Sequence, residues 1–123
     1  MIAVDTSAIV AILLGEPEQF RFITVLDENA HCVMSAATLV ELNLVMFRRL
    51  KTDGHEMVRK IIETSAIDIW PLTAYQADIA RSAKIHFPIL NFGDCFSYAL
   101  AKDLDIPLLF KGNDFSQTDL RPV

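Results

Sequence analysis

No apolar run in this sequence reaches the roughly 20 residues that a membrane-crossing helix needs, so no segment reads as membrane-embedded. A secretory leader is not expected either, because the N-terminus runs directly into Ile2-Ala3-Val4-Asp5 with no basic stretch ahead of an apolar one. Cysteine is scarce. Cys32 and Cys95 fall in strand-like and helix-like segments and resemble small core residues rather than a disulfide frame. The histidines, His31, His55 and His86, are scattered, and neither they nor the cysteines have zinc-ligand spacing. Positive charge is in deficit: 11 Lys and Arg against 16 Asp and Glu leave a formal net charge of −5. Such a chain has no global attraction for nucleic acid, so contact with it would need a local basic surface or a metal ion, while a basic partner suits it. Together these absences imply a cytoplasmic protein.

What the sequence does have is apolar substance. With 52% hydrophobic and 22% charged residues over 123 positions, disorder is excluded and one domain spanning residues 1–123 with one substantial core is expected. There is no internal repeat, low-complexity tract or linker. Ile2-Ala3-Val4 and Cys32-Val33-Met34 read as short buried strands, Ile67–Trp70 as a strand halted by Pro71, and Ile106–Phe110 as the last apolar strand. Between them the spacing predicts helices: one capped by Thr6 or Ser7 and stopped by Gly15 and Pro17, one over Glu18–Leu26, and a long one from Ser35 to about Lys51. Others cover Glu56–Ser65, Thr73 to Ala83 or His86, and Asn91–Lys102, the last with Asn91 as its N-cap. Strands alternating with helices indicate an α/β fold, a three-layer α/β/α sandwich around a central parallel sheet.

Ligands of such sheets collect beyond the carboxyl ends of the strands, and acids stand where that edge should be. Asp5 follows the first strand, Asp114 follows the last, and Asp94 opens a helix entering from a loop. Glu41 is the one charge in the otherwise uncharged Ala36–Phe47 run, a helix read as buried on nearly every side, so its carboxylate is expected to be partly dehydrated and to need a partner. Each acid has an ordinary explanation by itself: a turn or cap for Asp5, a capping pair for Asp94, a Thr38 or arginine partner for Glu41, a turn for Asp114. Gathered in one crevice they would repel one another unless a cation compensates, and hard ions such as Mg²⁺ or Mn²⁺ suit all-oxygen ligands. The matching chemistry is hydrolysis of a phosphodiester by metal-activated water. Thr6 and Ser7 could orient a ligand or water there.

The segments Val4-Asp5-Thr6-Ser7-Ala8, Ser35–Glu41, Leu90–Lys102 and Leu108–Phe115 resemble, in order and over the whole chain, those of PIN-domain proteins, and in particular VapC-type toxins of bacterial toxin–antitoxin pairs. The resemblance implies a PIN-like fold and a Mg²⁺- or Mn²⁺-dependent endoribonuclease acting on RNA. It also implies a homodimer inhibited by a cognate antitoxin protein, with Asp5, Glu41 and Asp94 as metal-binding catalytic acids. Where similar toxins often carry Gly-Asp-Asp-Phe, this chain has Gly112-Asn113-Asp114-Phe115, which makes Asp114 the fourth acid and Asn113 a neutral neighbour or ligand. The segment Lys84–Ile89 is shorter and more apolar than its counterparts.

The basic residues Arg48, Arg49, Lys51, Arg59 and Lys60 read as solvated helix ends rather than phosphate contacts. Two other functions fit parts of the pattern. A phospho-receiver domain would match in size and in Lys111 after the last strand, but Asp68 lies inside a strand and Asp94 starts a helix. A PIN-like chain that only binds its partner, without cleavage, is the second.

Overall fold

The strands are short enough that each contributes only one or two residues to either face of the sheet. The computed structural model describes residues 1–123. β1 (Ile2–Val4), β2 (Cys32–Ser35), β3 (Ile67–Trp70) and β4 (Leu108–Leu109) form one parallel sheet in the order β3-β2-β1-β4. Alternate residues of a strand point to opposite faces, and two cores result. Ile2, Val4, Cys32, Met34, Ile67 and Leu109 pack into one; Ala3, Val33 and Leu108 pack into the other. The first core is covered by α1 (Thr6–Leu13), α2 (Gln19–Glu28), α3 (Ala36–Leu50) and α4 (His55–Thr64), the second by α5 (Ala74–His86) and α6 (Asp94–Leu104). The three-layer α/β/α arrangement with a central parallel sheet is therefore the one observed. No helix is long and apolar enough to cross a membrane.

Several boundaries follow the expected chemistry to the residue. Ser35 caps α3 by accepting from the Ala37 amide, and Thr73 caps α5 by accepting from that of Gln76. Three expectations need correction. The cap of α1 is Asp5, not Thr6 or Ser7: its carboxylate accepts the Ser7 amide at 3.0 Å. The last strand is only Leu108–Leu109, because the Ile106 amide is already engaged by the Ala101 carbonyl at the end of α6.

The third correction concerns α3, which is not buried on nearly every side. Thr38, Leu42 and Met46 face the core, while Val40, Leu44 and Phe47 are more than half exposed. An uncharged composition does not reveal which stripe of a helix finds neighbours; here only one does.

Candidate active site

Parallel pairing sets the carboxyl ends of β1 and β4 side by side, and the chain leaves β1 through Asp5 into α1. Asp5 is 2% exposed and fully engaged. Its Oδ2 accepts the Ser7 amide and the Ser7 hydroxyl (2.7 Å), and its Oδ1 accepts the Ser97 hydroxyl (2.6 Å). The side chain thus closes the N-terminus of α1, where the helix dipole favours an anion, and is aimed by a serine from α6.

Asp94 arrives by the same logic. The Asn91 side chain accepts the Asp94 amide at 2.8 Å, and Asp94 Oδ2 accepts the Asn91 amide at 2.9 Å. This reciprocal pair is a capping box in form, and Asn91 performs the capping expected of it although regular helix begins at Asp94. The ordinary explanation and the functional one coexist, because a capping acid uses one oxygen and keeps the other. Glu41, on the second turn of α3, accepts from Thr6 Oγ1 at 2.5 Å, not from Thr38 or an arginine. Thr38 instead shares a hydrogen bond with Ser97 (3.2 Å). Thr38/Glu41 and Asp94/Ser97 are each three residues apart on their helices, a spacing that sets both members on one face.

Asp5, Glu41 and Asp94 line a single open cleft of about 420 Å³. Their charges are felt. Burial raises the Glu41 carboxyl, opposed by the Thr6 hydrogen bond and reinforced by Asp5. Burial likewise pushes Asp94 up to about 6, the Asn91 amide opposing and Asp5, Glu41 and Asp114 adding to the rise. Gly93 leaves room for the Glu41 carboxylate: a Cβ there would overlap it, so this placement of the Glu41 side chain requires that position 93 carry none.

The other expected residues are placed differently. Thr6 and Ser7 line the cleft, Thr6 bonded to Glu41 and Ser7 to Asp5. Asp114 is exposed at the rim, outside the lining, though near enough for Asp94 to sense its charge. Asn113 is exposed, its carbonyl accepting from Ser116. Sequence reasoning missed Ser97, whose signal was the i, i+3 spacing from Asp94. It also missed Glu16 and Arg49 in the cleft wall, which only the tertiary fold brings there.

The oxygen donors that line the cleft with the three acids are the Glu16 carboxylate, the Thr6 and Ser7 hydroxyls and the Asn91 amide, Arg49 and Lys111 are its cations, and no three His, Cys, Asp or Glu side chains close into a ready-made ligand cage. This donor set fits a hard divalent ion that keeps much of its water and takes only one or two carboxylates directly, as Mg²⁺ does. It does not fit a closed tetrahedral zinc site.

The family model for the PIN domain matches residues 2–120. The chain belongs to the PIN-domain family. It is 40% identical over 126 residues to the ribonuclease VapC30 of Mycobacterium tuberculosis, covering 98% of this chain and 96% of that one. Among solved structures, the Mycobacterium tuberculosis toxin VapC20, described as cleaving the sarcin–ricin loop, superposes with a TM-score of 0.83 at 20% identity, covering 100% of this chain and 98% of that one. A toxin–antitoxin complex from Klebsiella pneumoniae follows at 0.74 and 16% identity, covering 97% and 93%. The PIN-like fold expected from the sequence is therefore the fold of this chain.

Proposed function

We propose that this PIN-domain protein is a divalent-metal-dependent endoribonuclease, the toxin of a VapBC-type toxin–antitoxin pair. One observation carries the reading: three carboxylates from three separate elements line one cleft at the carboxyl edge of the sheet, in a chain with 40% identity to a ribonuclease over nearly its whole length.

Asp5, Glu41 and Asp94 would hold Mg²⁺ or Mn²⁺, with Asp114 adding negative charge from outside the cleft lining. Bound there, the ion supplies charge for the scissile phosphate and acidifies a water for attack at phosphorus. The chain's own groups set up that chemistry. Ser7 and Ser97 orient Asp5 through three hydrogen bonds. Thr6 keeps Glu41 turned inward, and Asn91 fixes Asp94 while leaving Oδ1 available.

The remaining roles follow from surface and composition. Val40, Leu44 and Phe92 border an apolar groove of about 580 Å³ that shares Glu41 and Asn91 with the acid cleft, a surface suited to a cognate antitoxin that covers the site. Exposed apolar side chains such as Phe47 and Met57 suit a homodimer. Cys32 and Cys95, both buried and unpaired, suit the cytoplasm.

The test is cleavage of cellular RNA by purified antitoxin-free protein, with and without EDTA. Activity that needs Mg²⁺ or Mn²⁺ and drops by at least about 100-fold in Asp5→Asn and in Asp94→Asn is expected. Folded wild-type protein that binds a partner but leaves RNA intact would establish the binding-only alternative instead.

A further inference from the structure

The wall of the acid cleft also carries positive charge, in a molecule with little of it to spare. Lys111 and Arg49 both line the cleft. Lys111 is placed by its backbone: its amide donates to Ser7 Oγ at 2.9 Å, and the same hydroxyl donates to Asp5 Oδ2 at 2.7 Å. The following Gly112 turns the chain with φ +100, a conformation that L side chains rarely adopt. One hydroxyl therefore separates the Lys111 backbone from the most buried acid of the site. Its ammonium rests between Glu16 Oε1 (3.1 Å) and Glu18 Oε2 (3.2 Å), while Arg49 reaches only 3.9 Å from Glu16 Oε2. The Arg49 side chain is 54% exposed, and so loose an exposed pair contributes little. A phosphodiester offers a guanidinium a better-matched, bidentate partner.

We infer that Arg49 and Lys111 grip the RNA backbone phosphate next to the scissile one, with Glu16 and Glu18 holding the Lys111 ammonium in place, and Arg49 free to turn in, until RNA arrives. This rests on the ribonuclease reading. It also singles out Arg49 from a basic cluster whose neighbour Arg59 is already spent on Glu56 and Glu63.

Binding of a fluorescein-labelled single-stranded RNA oligonucleotide, followed by anisotropy over a salt series, counts such contacts. In an Asp94→Asn background, where the RNA survives, Arg49→Gln and Lys111→Gln should each flatten the slope of log affinity against log salt by about 0.7, as expected for loss of one single-strand phosphate contact. Lys60→Gln on α4, with the same charge change, should leave it unaltered. The charge-balanced pair Glu16→Gln/Lys111→Gln should still lose the contact. In the active protein, Arg49→Gln and Lys111→Gln should raise KM more than they lower kcat. Slopes equal to the parent's, or parental affinity in the charge-balanced pair, would overturn the inference while leaving metal-dependent cleavage standing. Wild-type protein without such cleavage would remove the ribonuclease reading, and this inference with it.

Discussion

Glu41 and Gly93 share a space that neither could occupy with a larger neighbour. A methyl group at 93 would lie inside the Glu41 carboxylate, so Gly93→Ala must expel that side chain or push α6 away from α3. Because the group in the way is the end of a flexible, half-buried side chain, turning it aside costs less than the roughly 1–3 kcal/mol of overpacking a rigid core. We expect a lower Tm and at least about a 100-fold loss of cleavage, the scale of losing a central catalytic group. Truncating both partners separates the causes: Gly93→Ala/Glu41→Ala should melt close to Glu41→Ala alone and remain inactive, a coupling that a double-mutant cycle measures directly. Ser97 is the complementary case. It is buried and donates to Asp5 Oδ1, and it orients an acid without touching an ion itself. Ser97→Ala should weaken Mn²⁺ binding by about 10-fold or more, within the range seen when groups behind metal ligands are removed. Titration calorimetry checks this; unchanged affinity would mean that the two Ser7 bonds suffice.

Elements differ in how plainly the chain announces them. Ser35, Thr73 and the Ile67–Trp70 strand were legible because a capping hydroxyl or an apolar run between breakers is local information. The three cleft-lining acids were legible for a related reason: strand ends and helix entrances are points that the α/β fold collects on one edge. What local pattern could not show was which stripe of α3 would be left open, or that Arg49 at its far end would bend toward Glu16, since both depend on how α1, α3 and α6 meet. The α5–α6 connection is a further case. The Lys84 ammonium donates to the carbonyls of Pro88 (2.9 Å) and Leu90 (2.5 Å), and Leu90 is fully buried. One lysine thus braces the short segment that delivers Asn91 and Asp94, work that a longer loop would do with its own turns. Lys84→Met keeps the alkyl stem and removes both bonds, for a loss of about 1–2 kcal/mol. Amide exchange at Leu90–Phe92 should accelerate, and cleavage should fall several-fold with little change in the rest of the fold. Exchange unchanged across that segment would show that Leu90 alone anchors it.

For the molecule as a whole, the acid cleft is destabilising when its carboxyls are ionised, and either protons or a cation relieve it. Folding buries Asp94 and sets it near Asp5, Glu41 and Asp114, which raises its carboxyl to about 6 from an ordinary 3.8; Glu41 is raised in the same direction. The folded state therefore binds these protons more tightly than the unfolded chain does. For Asp94 that stability is fully present below about pH 4 and is lost as pH rises through about 6, on the order of 2 kcal/mol, and Glu41 acts in the same direction. Metal-free protein should accordingly melt several degrees lower at pH 7.5 than at pH 5, given the usual scaling for a domain of this size. Asp94→Asn, which has no proton to lose, should flatten that difference. A divalent ion acts on the same groups with the opposite sign, since it binds their ionised form and stabilises the fold by mass action. Millimolar Mn²⁺ should therefore raise the Tm strongly at pH 7.5 and hardly at pH 5. Thermal melts at both pH values, with EDTA and with Mn²⁺, decide the matter without any substrate. Equal melting temperatures in EDTA at the two pH values would mean that the carboxylates are relaxed apart in solution and that the cleft is not held ready for an ion.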